Sequence, residues 1–412
     1  MKKIIVCLIA VLVFYGCELS KVGTSDELAN SNNSGQGLTY SLESEPKSWS
    51  SIGGGTFTND YDTDPNGVTT DLSMDIYNNE PYIAYADYDN ALTPFRLKVK
   101  KCVGGTACTS WTNIGGVISA NESYDHSLTV WNGTPYVVYR ELVSVHPLSF
   151  VAKVKWFNGS SWQDAGNINT FLGGSVSFDW YPTISVKDGF IFIVAKNRVM
   201  YFDGANWSFV GPAIAGCSGY PIIKVYDNGT DLIPHVAFID STEHGNASVV
   251  YYNDVTNTWD YLGNKGFSHV TDPWQGIGSL AFELASDGTP YVFFAGAYDS
   301  LIGKSSVLKY DDLANDWVNV GSPANYFATK AMSHTDITIG SDDSVYIAYH
   351  DQSNSLTTVN KSLYGTGAWT SLGTVSSAWG NYTNICLDSS NVPFVAYENH
   401  SSTANSYVKR YY

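Results

Sequence analysis

The stretch 48–53, SWSSIG, carries a motif that has no repeat unit in front of it. The motif is Trp, two residues, an aliphatic residue or Ala, then Gly. It returns as WTNIG (111–115), WQDAG (162–166), WSFVG (207–211), WDYLG (259–263), WVNVG (317–321) and WTSLG (369–373). In those six places it ends a unit. The spacing between successive Trp residues runs from 45 to 62.

Each unit reads as four short strands, named A to D. SLAFELASDGTPYVFFAG (279–296) gives an alternating apolar run, an Asp-Gly turn and a second run rich in Tyr, Val and Phe. SSVLKYDDLANDWVNVG (305–321) gives a third run, a turn and a fourth run carrying Trp317. Runs of four to eight residues separated by turn chemistry are the signature of an all-β chain. Strand B recurs seven times: PYIAYAD (81–87), PYVVYRE (135–141), FIFIVAK (190–196), PHVAFID (234–240), PYVFFAG (290–296), VYIAYHD (345–351) and PFVAYEN (393–399). Both of its faces are apolar, as in a sheet covered on both sides. Strand C and its turn recur as VKWFNGSSW (154–162), VMYFDGANW (199–207), VYYNDVTNTW (250–259) and NKSLYGTGAW (360–369), with the Asn-Gly and Asp-Gly pairs that favour hairpins.

A four-stranded unit repeated at this period describes the blade of a β-propeller. The last unit supplies TNICLDSS (383–390), VPFVAYEN (392–399) and NSYVKRYY (405–412), strands A to C, and the sequence stops. SWSSIG is then the missing strand D. The expected fold is an all-β, seven-bladed propeller over 48–412, closed by strand 48–53 pairing with the C-terminal blade.

YNDVTNTW (252–259), and more loosely YDDLANDW (310–317), resembles the strand–turn–strand of kelch repeats, although the kelch Gly-Gly pair is absent from strand B. KYDDLANDW also resembles the Asp box of sialidase-type propellers, without its Ser and Gly. Sialidases hold a substrate carboxylate with three Arg. The four Arg here (Arg96, Arg140, Arg198 and Arg410) lie at unrelated places in their units. The resemblance implies the fold, and fold does not give function.

The N-terminus reads as a targeting segment. Lys2 and Lys3 precede a 12-residue apolar run, Ile4 to Tyr15, too short to span a bilayer as a helix. VFYGC (13–17) resembles the lipobox of bacterial lipoproteins, which implies cleavage after Gly16 and lipid on Cys17. An ordinary secretory signal is the alternative. Residues 17–47, polar and rich in Ser, Asn and Gly, read as a flexible tether. The expected location is the bacterial cell envelope, with the membrane contacted through the N-terminal lipid only. The net charge is −17, and −19 once Lys2 and Lys3 leave with the signal. With no Lys/Arg run, nucleic acid is excluded as a partner. Cys102 and Cys108 flank a short Gly-containing turn, a spacing that suits a disulfide in an exported protein. Cys217 and Cys386 read as separate buried thiols.

In propellers with this strand order the A–B and C–D turns share one end, and the B–C and D–A loops the other, around the channel mouth. The first set is short and uniform here. The second varies, and loops on a rigid scaffold are where sites are built. His126, His269 and His334 fall in or beside D–A loops, and His146, His244, His350 and His400 in or beside B–C loops. Only His235 starts a strand B. A functional face explains this, and so does the scarcity of His in strands. Tyr124, Trp180, Tyr181, Tyr220, Trp274, Trp379 and Tyr382 join them, and such aromatics suit the C–H faces of sugar rings. The candidate ligand surface therefore comprises these aromatics with His126, His334 and His350. NDYDTDPNG (59–67) places Asp60, Asp62 and Asp64 at alternate positions, a hard-oxygen pattern that suits calcium, although Pro65 excludes an EF-hand loop. A solvated acidic loop is the alternative. No other cofactor is implied.

For an enzyme, the best constellation is His126, His146 and Tyr181, which resembles the His and Tyr used as base and acid by some seven-bladed polysaccharide lyases. The first expectation is a binding protein for a glycan or protein ligand on the B–C/D–A face. A polysaccharide lyase or glycoside hydrolase using that face is the second, and a structural adhesion or assembly platform the third.

Overall fold

The computed structural model describes residues 47–56, 72–87, 95–166, 168, 181–268, 276–296, 305–321, 332–363, 367–400 and 404–412. Its 28 described strands form seven four-stranded antiparallel sheets. Blade 1 holds β2 (Leu72–Tyr77), β3 (Glu80–Asp87), β4 (Arg96–Val103) and β5 (Ser110–Val117). Blade 2 holds β6 (Ser123–Trp131), β7 (Thr134–Val145), β8 (Leu148–Phe157) and β9 (Trp162–Asp164). Blade 3 holds β10 (Thr183–Lys187), β11 (Phe190–Ala195), β12 (Arg198–Phe202) and β13 (Trp207–Val210). Blade 4 holds β14 (Cys217–Asp227), β15 (Leu232–Asp240), β16 (Asn246–Asn253) and β17 (Thr258–Tyr261). Blade 5 holds β18 (Ile277–Leu284), β19 (Pro290–Gly296), β20 (Ser305–Asp311) and β21 (Asp316–Asn319). Blade 6 holds β22 (Met332–Ile339), β23 (Val345–Asp351), β24 (Leu356–Ser362) and β25 (Trp369–Thr374).

Blade 7 is assembled from both ends of the fold. It holds β26 (Gly380–Leu387), β27 (Pro393–His400), β28 (Ala404–Tyr411) and, on its outer edge, β1 (Trp49–Thr56). Trp49 pairs with Tyr411, Ser50 with Arg410 and Ser51 with Lys409. First strands of successive blades pack on one another all the way round, and β26 of blade 7 packs on β2 of blade 1. The result is a closed seven-bladed β-propeller.

The Trp-x-x-aliphatic-Gly motif is the clasp between neighbouring blades. Six of the seven Trp indoles donate to a carbonyl at or just after the end of the preceding blade's motif. Trp162 reaches Ile114 (2.8 Å), Trp259 reaches Pro212 (3.0 Å), Trp317 reaches Leu262 (2.8 Å) and Trp369 reaches Val320 (3.1 Å). Trp207 bonds Ala165 in the same way, and Trp49 bonds Leu372 of blade 6 at 2.8 Å. In six of the seven motifs the Gly lies beneath the next blade's Trp ring. At Gly321, φ is +82° and a Cβ would stand 2.5 Å from Trp369 Nε1. Only glycine combines that backbone with that contact.

Hydrophobic layers fill the spaces between sheets. Between blades 2 and 3, Val138, Val154, Ile184, Ile193 and Met200 bury one such layer. Between blades 7 and 1, Ile52 joins Leu72, Ile83, Tyr85, Phe394 and Val408. Each fully buried large side chain contributes about 1.5–3 kcal/mol. The A–B turns use the predicted chemistry: Asn132-Gly133 and Asp188-Gly189 all have positive φ, as a two-residue hairpin turn of the primed kind requires. Two C–D turns are braced by a tyrosine. Tyr252 Oη donates to Asn257 Oδ1 (2.9 Å) and Tyr310 Oη to Asn315 Oδ1 (2.7 Å). Cys102 and Cys108 are joined across the β4–β5 hairpin with Cα atoms 5.4 Å apart, while Cys217 and Cys386 are free and buried.

Candidate functional site

The first strands of all seven blades line a central channel of about 530 Å³. Its polar side chains stitch neighbouring blades together. Ser73 Oγ accepts from the Leu128 amide (2.8 Å), Asp75 Oδ2 from Val130 (2.7 Å), Thr183 Oγ1 from Ile223 (3.1 Å) and Asp336 Oδ2 from Ile385 (2.8 Å). Lys224 of blade 4 pairs with Glu283 of blade 5 at 2.6 Å. Burial pushes the Asp336 carboxyl up to about 6, against two backbone donors and the Lys224 charge, and raises Asp75 in the same direction. These groups are engaged in holding the ring.

The mouth of the channel is built differently. As the first strand of blades 2, 4, 6 and 7 leaves its D–A loop, its register with strand B is broken by a bulge. The bulged residues include Asp125, Tyr220, His334 and Tyr382, with φ of 45°, 45°, 49° and 48°. Asp125, Tyr220 and Tyr382 stand two positions before the first channel-lining residue of their strands (Ser127, Ile222 and Asn384), and His334 stands one position before Thr335. Many other left-handed non-glycine residues here are Asn or Asp in turns, where that backbone is common. A Tyr held left-handed in a strand bulge is not. Bulges re-aim side chains and are enriched beside active sites, and such backbone costs of order 1 kcal/mol or more per residue.

These residues form two aromatic platforms. Tyr181, preceding β10, stacks on Tyr220 with ring centroids 4.1 Å apart and planes 24° apart. Tyr220 remains 49% exposed. On blades 6 and 7, His334 meets Tyr382 edge-on at 4.9 Å. Trp379, 51% exposed, lies flat on the buried His350 ring (5.4 Å, 18°), and its indole donates to Asn381 Oδ1 at 2.8 Å. Stacking below and a hydrogen bond at the edge fix that indole before any ligand arrives.

The remaining sequence candidates fall elsewhere. His126 is buried, and its Nε2 donates to the Ala84 carbonyl of blade 1 at 3.1 Å, an interblade contact. His146 is exposed at the tip of the β7–β8 hairpin, which runs four residues beyond Glu141 on strand β7. Tyr181 is in the stacked pair, so these three residues occupy three different settings. Tyr124 packs edge-on against Phe150 at 5.6 Å. Burial pushes His235 down to about 4, and its Nδ1 donates to the Ile233 carbonyl, so it is a neutral structural residue. Trp180, Trp274, Cys17 and the acidic trio Asp60, Asp62 and Asp64 lie outside the described residues. Among the described residues no group of three His, Cys, Asp or Glu side chains is placed to hold a metal ion.

One feature of the mouth was not anticipated from the sequence. Arg140, buried in strand B of blade 2, forms an ion pair with Asp125 and lies over the rings of Phe150 (4.8 Å) and Tyr181 (5.6 Å). Its signal was available: PYVVYRE, VYIAYHD and PFVAYEN break an otherwise apolar run with Arg140, His350 and Glu398 at one position. The other arginines are dispersed. Arg198 covers Phe209 at 5.0 Å, and Arg410 pairs with Asp388 at 3.0 Å.

No protein-family model matches the chain, and no curated protein matches it. Solved structures share its fold. A polysaccharide lyase, PL25 ulvan lyase, superposes with a TM-score of 0.55 at 12% identity, over 87% of this chain and 96% of that one. A protein of unknown function from Dyadobacter fermentans gives 0.48 at 13% identity, over 88% and 97%. A Trypanosoma rangeli sialidase mutant displaying trans-sialidase activity gives 0.44 at 11% identity, over 88% of this chain and 58% of that one. At these identities the likeness is one of fold.

Proposed function

We propose that the protein recognises a glycan at the channel mouth, with Tyr220, Tyr382 and Trp379 as stacking surfaces. The observation that carries this reading is the left-handed backbone of Tyr220, His334 and Tyr382 at equivalent bulges. Four blades hold a residue in this conformation at equivalent bulges, and in blades 4, 6 and 7 that residue carries a ring. Sugar C–H faces lie on such rings, while hydroxyl groups take polar partners. Neighbouring hydroxyls and amides at the mouth, including Ser279, Thr335 and Asn381, supply those partners. Arg140 is already countered by Asp125, and the chain carries −17, so an uncharged glycan fits better than a polyanionic one.

A second reading is a polysaccharide lyase acting at the same mouth. It is favoured by the fold shared with the ulvan lyase and by Tyr181, a phenol flanked by a guanidinium. A general base must lie within hydrogen-bond reach of the proton it takes. His126 is committed to Ala84, so this reading uses Tyr181 instead.

A glycan array run with the purified protein, with parallel assay of unsaturated and reducing ends, separates the readings. Binding without new ends supports recognition alone, and new unsaturated ends support the lyase. A protein that binds no glycan, or whose Tyr220→Ala variant binds as well as the parent, removes the proposal. The proposal extends to location: lipid on Cys17 tethers the propeller to a bacterial envelope through residues 18–47. Cys17→Ala then moves the protein from the membrane to the soluble fraction, and unchanged partitioning contradicts the anchor.

A further inference from the structure

We infer that the two aromatic platforms are the two ends of one binding path, and that the ligand is the interior of a linear glycan laid across the channel mouth. This rests on the glycan reading above and adds what kind of glycan and in what pose. The argument begins with the order of the blades. Tyr181 opens blade 3 and Tyr220 lies in the first strand of blade 4. Trp379 and Tyr382 open blade 7. Blade 7 is three blades from blade 4 in one direction and three from blade 3 in the other. The Tyr181–Tyr220 pair and the Trp379–Tyr382 pair therefore face each other across the ring.

Among the described residues, polar groups stand between them. On one side Ser279 of blade 5 and Thr335 of blade 6 share a 2.8 Å hydrogen bond. On the other stands the Asp125–Arg140 pair of blade 2. Below is the channel. Aromatic surface at two opposed ends with hydroxyl and charged groups in the middle matches a chain of sugars, each end stacked and the centre hydrogen-bonded. A single terminal sugar needs one platform only. Both platforms are pre-set: Trp379 by His350 and Asn381, and Tyr220 by Tyr181.

Two weak sites joined by one ligand give a large gain once the ligand spans them and little before. The test is calorimetric titration of the full protein with cello-, manno-, xylo- and laminari-oligosaccharides and with ulvan fragments, each from disaccharide to octasaccharide. Affinity is expected to rise by about tenfold or more at one chain length and then level off. Trp379→Ala and Tyr220→Ala should each remove that step while leaving disaccharide binding to the other platform. Both side chains are half exposed, so the variants should melt near the parent, which a thermal scan checks. Affinity that does not depend on length overturns the bridging pose, as does loss of binding at all lengths in one variant with none in the other. Absence of binding by every series at every length overturns the glycan reading itself.

Discussion

The indole of Trp49 donates a 2.8 Å hydrogen bond to the carbonyl of Leu372, 323 residues away in the chain. Four residues after Trp49, Gly53 lies under the ring of Trp111, where a Cβ would stand 2.1 Å from Nε1. One hexapeptide thus clasps blade 6 to blade 7 and blade 7 to blade 1. Trp49→Ala removes a hydrogen bond and interblade packing and should cost about 2 kcal/mol. Gly53→Ala meets both a steric clash and a φ of +68° and should cost more than about 1 kcal/mol. Removing 48–53 should open the ring and lower the melting temperature of the whole body. A deletion that melts like the parent contradicts the closure.

The Cys102–Cys108 bond closes a loop of sequence separation 6. Short loops restrict the unfolded chain modestly, so the paired Cys102→Ser, Cys108→Ser variant should lose about 2 kcal/mol. Denaturant unfolding of the parent with and without reductant checks this. Equal stability in the two conditions contradicts it.

Asp336 gives a pH dependence with a defined sign. Burial raises its carboxyl from 3.8 to about 6 in the folded channel, which it shares with Lys224, Glu283 and Asp75. Between those values the folded protein keeps a proton that the unfolded chain has lost. The stability from this group is therefore full below the unfolded value and falls as pH rises through the folded one. Unfolding titrations of the parent and Asp336→Asn from about pH 4 to about pH 7 should show the parent losing ground to the variant as pH rises. Parallel profiles contradict the shift.

The blades were legible in the sequence because their signals are local and repeated. Alternating runs, Asn-Gly turns and Trp-x-x-aliphatic-Gly each act within one unit or between neighbours, and the lone SWSSIG fixed the closure once the last unit was seen to lack a strand. The mouth was less legible. A bulge shifts the alternation of side chains, so pattern alone does not tell that Tyr220 and His334 take left-handed backbone while His126, also in a bulge, turns to the Ala84 carbonyl. The Asp125–Arg140 pair spans two strands and needs the register to be known.

The left-handed backbone at Tyr220 and Tyr382 ties stability to recognition. Glycine adopts that conformation freely and Trp379 is half exposed, so the double variant Tyr220→Gly, Trp379→Ala relieves strain at Tyr220 while losing ring contacts at both platforms. The decisive measurement is its thermal melting together with titration of the glycan that the parent binds. A melting temperature close to the parent's, with binding lost, is the predicted outcome. A variant that folds as well and binds that glycan as tightly contradicts the assignment of the mouth as the recognition site.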